Sequence, residues 1–387
     1  MEDAVVVDCC RTAIGRAHPE RGYFRQVRSD DLAAACVTAL LERSGLDRAL
    51  VDDVVMGNTQ QTLEQGLNVA RVIGLISGLP ASCGGTTVNR LCGSSLQALN
   101  QAAHAIMAGM ADVQIAGGLE HMHHIPMDHG LDVNPRLYRH TSRGALLMGV
   151  TAEFLAQTRG ISRREQDEFA LRSHQRADAA HRQGLFKREI IPVWGLDEQG
   201  SPLLVTRDQC IRPDTSLEAL AALPPVFMPQ GGTITAGNSS PLNDGAAALL
   251  VMSRSTAKRL GLKPLVRIRA TAVAGVDPCV MGLGPVPATR KALERAKLSV
   301  HDLDLVEINE AFAAQTLACI RELGLPEEKV NVRGGAIAIG HPLGASGARI
   351  ATTLIHAMVD QGATFGLATM CIGLGQGIAT IFERVES

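Results

Sequence analysis

Apolar residues return along this chain in two periods. A short uninterrupted run, Ala4 to Val7, suits a strand buried on both faces, whereas later stretches repeat their apolar positions every three to four residues, as a helix lying on a core does. Leu41-Glu42-Arg43-Ser44-Gly45-Leu46, then Asp52-Asp53-Val54-Val55, reads as helix, short loop and buried strand. The same succession comes back as Leu293-Glu294-Arg295-Ala296-Lys297-Leu298, then Asp304-Leu305-Val306. Further on, Val88-Asn89 leads into Cys92-Gly93-Ser94-Ser95 and a helical stretch to Met107, while Val330-Asn331 leads into Gly340-His341-Pro342 and a helical stretch from Ala348 to Val359. Apolar strands follow at Val113 to Ala116 and at Phe365 to Thr369.

A repeat this long implies two similar domains, because solenoid repeats are far shorter. Alternating strands and helices predict an α/β fold with largely parallel sheets covered on both faces. The expected division is a first half over 1–119 completed by 242–265, an insertion over 120–241, and a second half over 266–387. In the insertion the pattern loosens into His- and Met-rich turns, a charged helix from Ser162 to Arg182, and a Pro-rich stretch at Pro224-Pro225. Insertions of this size often carry binding residues on a rigid scaffold.

Composition supports the two-core picture: 387 residues with 46% apolar content exceed what one core usually holds. The 39 glycines beside only 3% aromatic residues favour close backbone packing. A net charge of -2 sets up no field that would make nucleic acid the main partner. The nine cysteines are odd in number and form no CxxC pair, which points to a reducing compartment. With no leader-like start and no apolar run of membrane-spanning length, the expectation is a soluble cytoplasmic protein.

Four segments carry candidate chemistry. Cys92 stands where a strand-like run gives way to a helix, and a thiol at a helix N-terminus is expected to have a lowered pKa and a nucleophilic thiolate. A free cysteine is equally a small packing residue. His341 sits in the glycine-dense turn Gly334 to Gly347, where backbone can approach a ligand and an imidazole can exchange protons, or where it simply completes a turn. Cys371, in Met370-Cys371-Ile372-Gly373, follows a buried strand at the kind of edge where α/β active sites gather, and by the repeat it takes a place similar to Gly117-Gly118. Asn309 ends the strand Leu305 to Ile308, placed either to serve an oxyanion or to cap the next helix. His121-Met122-His123-His124 lacks the spacing and companion ligands of a metal site, and no metal is expected.

Taken in order, Cys-Gly-Ser at 92–94, Asn309-Glu310-Ala311-Phe312-Ala313, Gly340-His341-Pro342-Leu343-Gly344-Ala345-Ser346-Gly347 and Cys371-Ile372-Gly373-Leu374-Gly375 resemble the thiolase family over essentially the whole chain. Within that family, Gln61-Thr62-Leu63-Glu64-Gln65-Gly66 and the end Gly373 to Thr380 look like the bacterial 3-ketoacyl-CoA thiolases of the β-oxidation complex. The resemblance implies the thiolase fold, duplicated βαβαβαββ halves in a layered αβαβα core with an inserted loop domain. It also implies that Cys92 is acylated, that His341 activates it, and that Cys371 is the acid/base. Asn309, through a held water, and His341 would form one oxyanion site, with the N–H groups of Cys92 and Gly373 forming the other. Arg212, Ala236, Ser240, Met148 and Phe312 match positions that bind CoA or line the acyl channel. Coenzyme A would be co-substrate, with no tightly bound cofactor. The expected partners are a second copy of the chain, in a homodimer or higher oligomer, and a hydratase/dehydrogenase subunit. Leu147 stands where acetoacetyl-CoA thiolases carry histidine, and Ala345 where close β-oxidation relatives often carry cysteine. An acetoacetyl-CoA thiolase and a non-catalytic thiolase-like carrier are the competing expectations.

Overall fold

The computed structural model describes residues 2–385; residues 1, 386 and 387, at the outer ends of the two expected halves, lie outside the described residues. In the first half the chain forms β1 (Ala4–Thr12), α1 (Ser29–Ser44), β2 (Asp53–Gly57), α2 (Val69–Ile76), β3 (Thr86–Val88), α3 (Ser94–Met107) and β4 (Val113–His121). The helices α4 (Met148–Thr158) and α5 (Arg163–Arg182) and a short helical turn at Leu217–Ala221 follow before β5 (Asn243–Ser253) returns to the sheet. The second half comprises β6 (Val266–Gly275), α6 (Pro285–Ala296), β7 (Leu305–Ile308), α7 (Ala313–Leu323), α8 (Ser346–Gln361), β8 (Phe365–Ile372) and β9 (Gln376–Arg384).

The duplication holds residue for residue. Asp53 to Gly57 pairs in parallel with Gln114 to Gly118, and Leu305 to Ile308 pairs in the same register with Gly366 to Thr369. Even the strand entries match: the Asp52 carboxylate accepts the Asp112 and Val113 N–H groups, and the Asp304 carboxylate accepts those of Thr364 and Phe365. Carried along the strands, this register sets Cys371 over Leu119, so the expected match with Gly117-Gly118 is displaced toward the strand end. The slip arises because motif resemblance does not count residues as a hydrogen-bond ladder does.

The sheet order is β7-β8-β9-β6-β1-β5-β4-β2-β3, with the two half-sheets joined where Val5 and Val6 face Arg267 and Val266. The sheet is mixed rather than largely parallel. β9 follows β8 through the tight turn at Gly373 to Gly375, and a hairpin connection forces an antiparallel pair. β5, the repeat partner of β9, is likewise antiparallel to β4 and β1.

Helices α3 and α8 lie side by side between the half-sheets, where Leu99, Ile355, Leu249 and Phe382 share one buried cluster. α1 and α2 cover the outer face of the first half-sheet, and α6 and α7 that of the second, giving an αβαβα stack. Gly57 permits this packing: a Cβ there would run into the backbone of Ser94 and Ser95 at the start of α3. The middle layer therefore presents the N-termini of α3 and α8 at one edge. Ser95 Oγ accepts the Ala348 N–H at 2.8 Å and ties them together.

Candidate active site

The approach to α3 is a strained turn. Leu91 adopts φ +45°, a region that costs a branched L-residue free energy, and side chains on either side hold it there. Asn89 Oδ1 accepts the Leu91 N–H at 2.9 Å, and Ser94 Oγ accepts the Arg90 N–H at 2.9 Å while donating to the Leu91 carbonyl at 2.6 Å. The next residue, Cys92, is consequently presented at a fixed angle.

Its thiol differs from the expected one. Burial pushes Cys92 up to about 11, against the smaller opposing pull of the Gly373 N–H and its own N–H. The first helical donors do not serve the sulfur: the Gly93 and Ser94 N–H groups go to the carbonyls of Arg90 and Leu91. Desolvation therefore wins over the helix dipole, and Cys92 rests as a thiol. The two donors that face it are those assigned to an oxyanion site by resemblance.

His341 lies in the turn before α8, where Gly340 has φ +123° and Asn243 occupies the space a Cβ would need. Its backbone N–H donates to Asn243 Oδ1 at 2.9 Å. Ser346 Oγ donates to the Pro342 carbonyl at 2.9 Å and so receives the proton on His341 Nδ1 at 2.5 Å. This pattern assigns the tautomer: Nδ1 carries hydrogen and Nε2 is the free base, approached by Asn309 Nδ2 at 3.3 Å. Burial, with Arg349 nearby, drives the imidazole down to about 3, so it is neutral across the physiological range.

Cys371 closes the other side from the end of β8. Burial raises its thiol well above the ordinary value, and Cys92, followed by Cys319, adds to the rise. A thiolate at one of these cysteines therefore opposes a thiolate at the other.

Cys92, His341, Cys371 and Gly373 line one cavity of about 370 Å³, together with Ser240, Met148 and Phe312. Its walls are largely apolar, with Met127, Leu131 and Phe227 on the side of the segment after β4. Arg212 and Ala236 are not in this cavity but in a small neighbouring one of about 40 Å³; Pro241 lines both. Asn309 is fully buried and reaches the site through His341. It is not a helix cap, because α7 begins at Ala313 with Phe312 in the capping position. The histidine cluster lies to one side. His121 contacts Asp244 Oδ1 at 3.2 Å and the Phe24 carbonyl at 3.1 Å, and His124 contacts Glu64 at 3.0 Å and the Arg25 carbonyl at 3.0 Å.

Sequence reading passed over Ser346, Asn243 and Asn89. Ser346 lies within the quoted glycine-rich motif, and its i+5 spacing from His341 was the available signal. Asn243 is far from His341 in the chain, and only the fold joins them.

This duplicated five-layer core, with two cysteines and a histidine converging at the edge of its middle layer, defines a thiolase-type acyltransferase, and the chain belongs to the thiolase family. The family's N-terminal domain matches residues 4–255 and its C-terminal domain residues 262–384. Among named relatives, a 3-ketoacyl-CoA thiolase of Shewanella denitrificans is 57% identical, covering 100% of both chains. Another of Shewanella loihica is 56% identical, covering 99% of this chain and 100% of the relative. Among the described residues no helix is long and apolar enough to cross a membrane.

Proposed function

We propose that the protein cleaves 3-ketoacyl-CoA with coenzyme A, yielding acetyl-CoA and a shortened acyl-CoA through an acyl-Cys92 intermediate. The observation that carries this is the convergence of two proton-bearing thiols and one neutral imidazole on a single apolar cavity. Carbon–carbon cleavage at a thioester needs a nucleophile, a base for it, and a separate acid for the carbon leaving group.

In this reading His341 Nε2 takes the Cys92 proton as the sulfur attacks the 3-keto carbon. The Cys92 and Gly373 N–H groups serve the oxyanion of one half-reaction, and His341 with Asn309, through a held water, that of the other. The C2–C3 bond breaks, its electron pair forms the acetyl-CoA enolate, and Cys371 protonates C2. Acylation turns Cys92 into a neutral thioester, which removes the repulsion against a thiolate at Cys371 at the moment that group loses its proton. The Cys371 thiolate then deprotonates CoA, whose sulfur attacks the acyl group, and His341 returns the first proton to Cys92.

Ala236 and Ser240 hold the pantetheine, with Arg212, Met148 and Phe312 lining the CoA and acyl channel. Coenzyme A is co-substrate, with no tightly bound cofactor. We assign CoA binding to a domain over 120–241, set into halves over 1–119 with 242–265 and over 266–387. The motif resemblance extends this reading to a cytoplasmic role in β-oxidation, as a homodimer or higher oligomer with a hydratase/dehydrogenase partner.

Mass spectrometry after exposure to 3-ketoacyl-CoAs of graded chain length tests the assignment: an acyl adduct on Cys92 is expected, absent in Cys92→Ala. No adduct would favour a carrier. Strong preference for acetoacetyl-CoA would favour the short-chain thiolase, against which stand Leu147 and the apolar cavity wall.

A further inference from the structure

Glu120, at the end of β4, is a fully buried carboxylate to which nothing above assigns a part. It accepts six hydrogen bonds, three on each oxygen. Oε1 takes Asn58 Nδ2 at 3.1 Å, Gln65 Nε2 at 2.8 Å and the Gln60 N–H at 3.4 Å. Oε2 takes the Thr59 N–H at 3.0 Å, Thr59 Oγ1 at 2.5 Å and the Gly344 N–H at 2.9 Å. Burial raises this carboxyl above its ordinary value, and the donors from Thr59, Gln65 and Gly344 pull against that rise. Five of the six partners are N–H groups that can only donate, which favours the carboxylate form although all are neutral.

These partners lead to both reactive loops. Gly344 stands three residues after His341, and a side chain there would strike Asn58 and Glu120 itself. Thr59 leads the other way: its carbonyl accepts Asn89 Nδ2 at 2.9 Å, and Asn89 Oδ1 holds the strained Leu91 beside Cys92. Glu120 is not among the residues lining the cavity.

We propose that Glu120, acting with Thr59, is a positioning residue that holds the Cys92 turn and the His341 turn in register and places a fixed negative charge behind the nucleophile. This rests on the assignment of Cys92 and His341 as nucleophile and base. The titratable groups facing Cys92 are Cys371 from β8, His341 from the turn before α8, and Glu120 from β4; Arg90 is engaged with Gln97 and Gln376, and His104 with Thr271. The Glu120 charge opposes a thiolate at Cys92, which gives the proposal a signature that loosened packing alone would lack.

Iodoacetamide alkylation of Cys92 as a function of pH, read by mass spectrometry alongside steady-state kinetics, tests it. In Glu120→Gln the alkylation midpoint is expected to fall by about half a unit to one unit as the opposing charge is lost. The kcat is expected to drop about tenfold or more through misplacement, with KM within about twofold. A folded Glu120→Gln with unchanged kcat, with a raised KM alone, or with a lower kcat but an unmoved midpoint would overturn the proposal. If that variant does not fold, Thr59→Val decides: a kcat about threefold to tenfold lower, restored in Thr59→Ser, supports the hub. A Thr59→Val kcat within twofold of the parent refutes it. The alkylation readout needs no acyl-CoA, so a parent enzyme that takes up no acyl group would overturn the reaction proposed above and leave this test standing.

Discussion

Replacing Ser346 by alanine removes the acceptor for His341 Nδ1–H and nothing else that touches the imidazole. In the parent the hydroxyl receives that proton at 2.5 Å and passes its own to the Pro342 carbonyl at 2.9 Å. Alanine leaves the buried Nδ1–H unpaired, while the Pro342 carbonyl keeps the Ala345 N–H at 2.9 Å, and an unsatisfied buried group costs about 1 to 3 kcal/mol. The imidazole can lower this cost by moving its proton to Nε2, facing the cavity, but that tautomer has no lone pair for Cys92. If the whole cost falls on the reactive tautomer, kcat declines by about fivefold to 150-fold, taking about 1.4 kcal/mol per factor of ten. KM should move little, because Ser346 does not line the cavity. The assay is steady-state cleavage of a 3-ketoacyl-CoA, with a thermal melt to confirm folding and Ser346→Thr as the conservative control. A folded Ser346→Ala with kcat within twofold of the parent would refute the tautomer argument, as would an alanine-like loss in the threonine variant.

Cys371→Ala should slow carbon–carbon cleavage by about a hundredfold to ten-thousandfold, the range for losing a general acid. Acyl transfer from a saturated acyl-CoA to Cys92 should suffer less, since a thiolate leaves more easily than an enolate; equal losses would count against Cys371 as the carbon acid. Alkylation of Cys92 in the parent should rise with pH toward about 11, and a plateau near neutrality would mean that burial does not control this thiol. Burial pushes Asp208 up, but the Arg11 guanidinium, at 2.7 Å, and His181 outweigh it and hold the carboxyl well below its ordinary range. A depressed folded-state pKa stabilises above the unfolded value of about 4 and is lost as pH falls below it. Urea midpoints should therefore decline on acidification, and Asp208→Asn should flatten that decline. Leu99→Ala, in the fully buried middle layer, should lower stability by about 2 to 5 kcal/mol, visible in the same titration.

Much of this architecture is local enough to be written in the order of residues. The strand Leu305 to Ile308 and the helices around Ser162 to Arg182 and after Cys92 follow from apolar period and capping, and Ser162 with Glu165 forms the capping box that starts α5. The duplication is also local information read twice. The four motifs, each short and in fixed order, name the family because they are runs of neighbours along the chain.

What depends on neighbours across the chain was decided only by tertiary structure. The direction of β5 and β9, the residue opposite Cys371 in the repeat, and the separation of Arg212 and Ala236 from the reactive cavity all come from ladder register and packing. The protonation of Cys92 is the clearest case. Its place before α3 argues for a lowered pKa, but desolvation between β8 and the turn of His341 dominates, and that burial comes from segments hundreds of positions away. The same holds for Glu120, which is one acidic residue among many in the chain. In the fold it is a carboxylate with six donors, of which Gly344 belongs to the loop of the base and Thr59 is tied through Asn89 to the loop of the nucleophile.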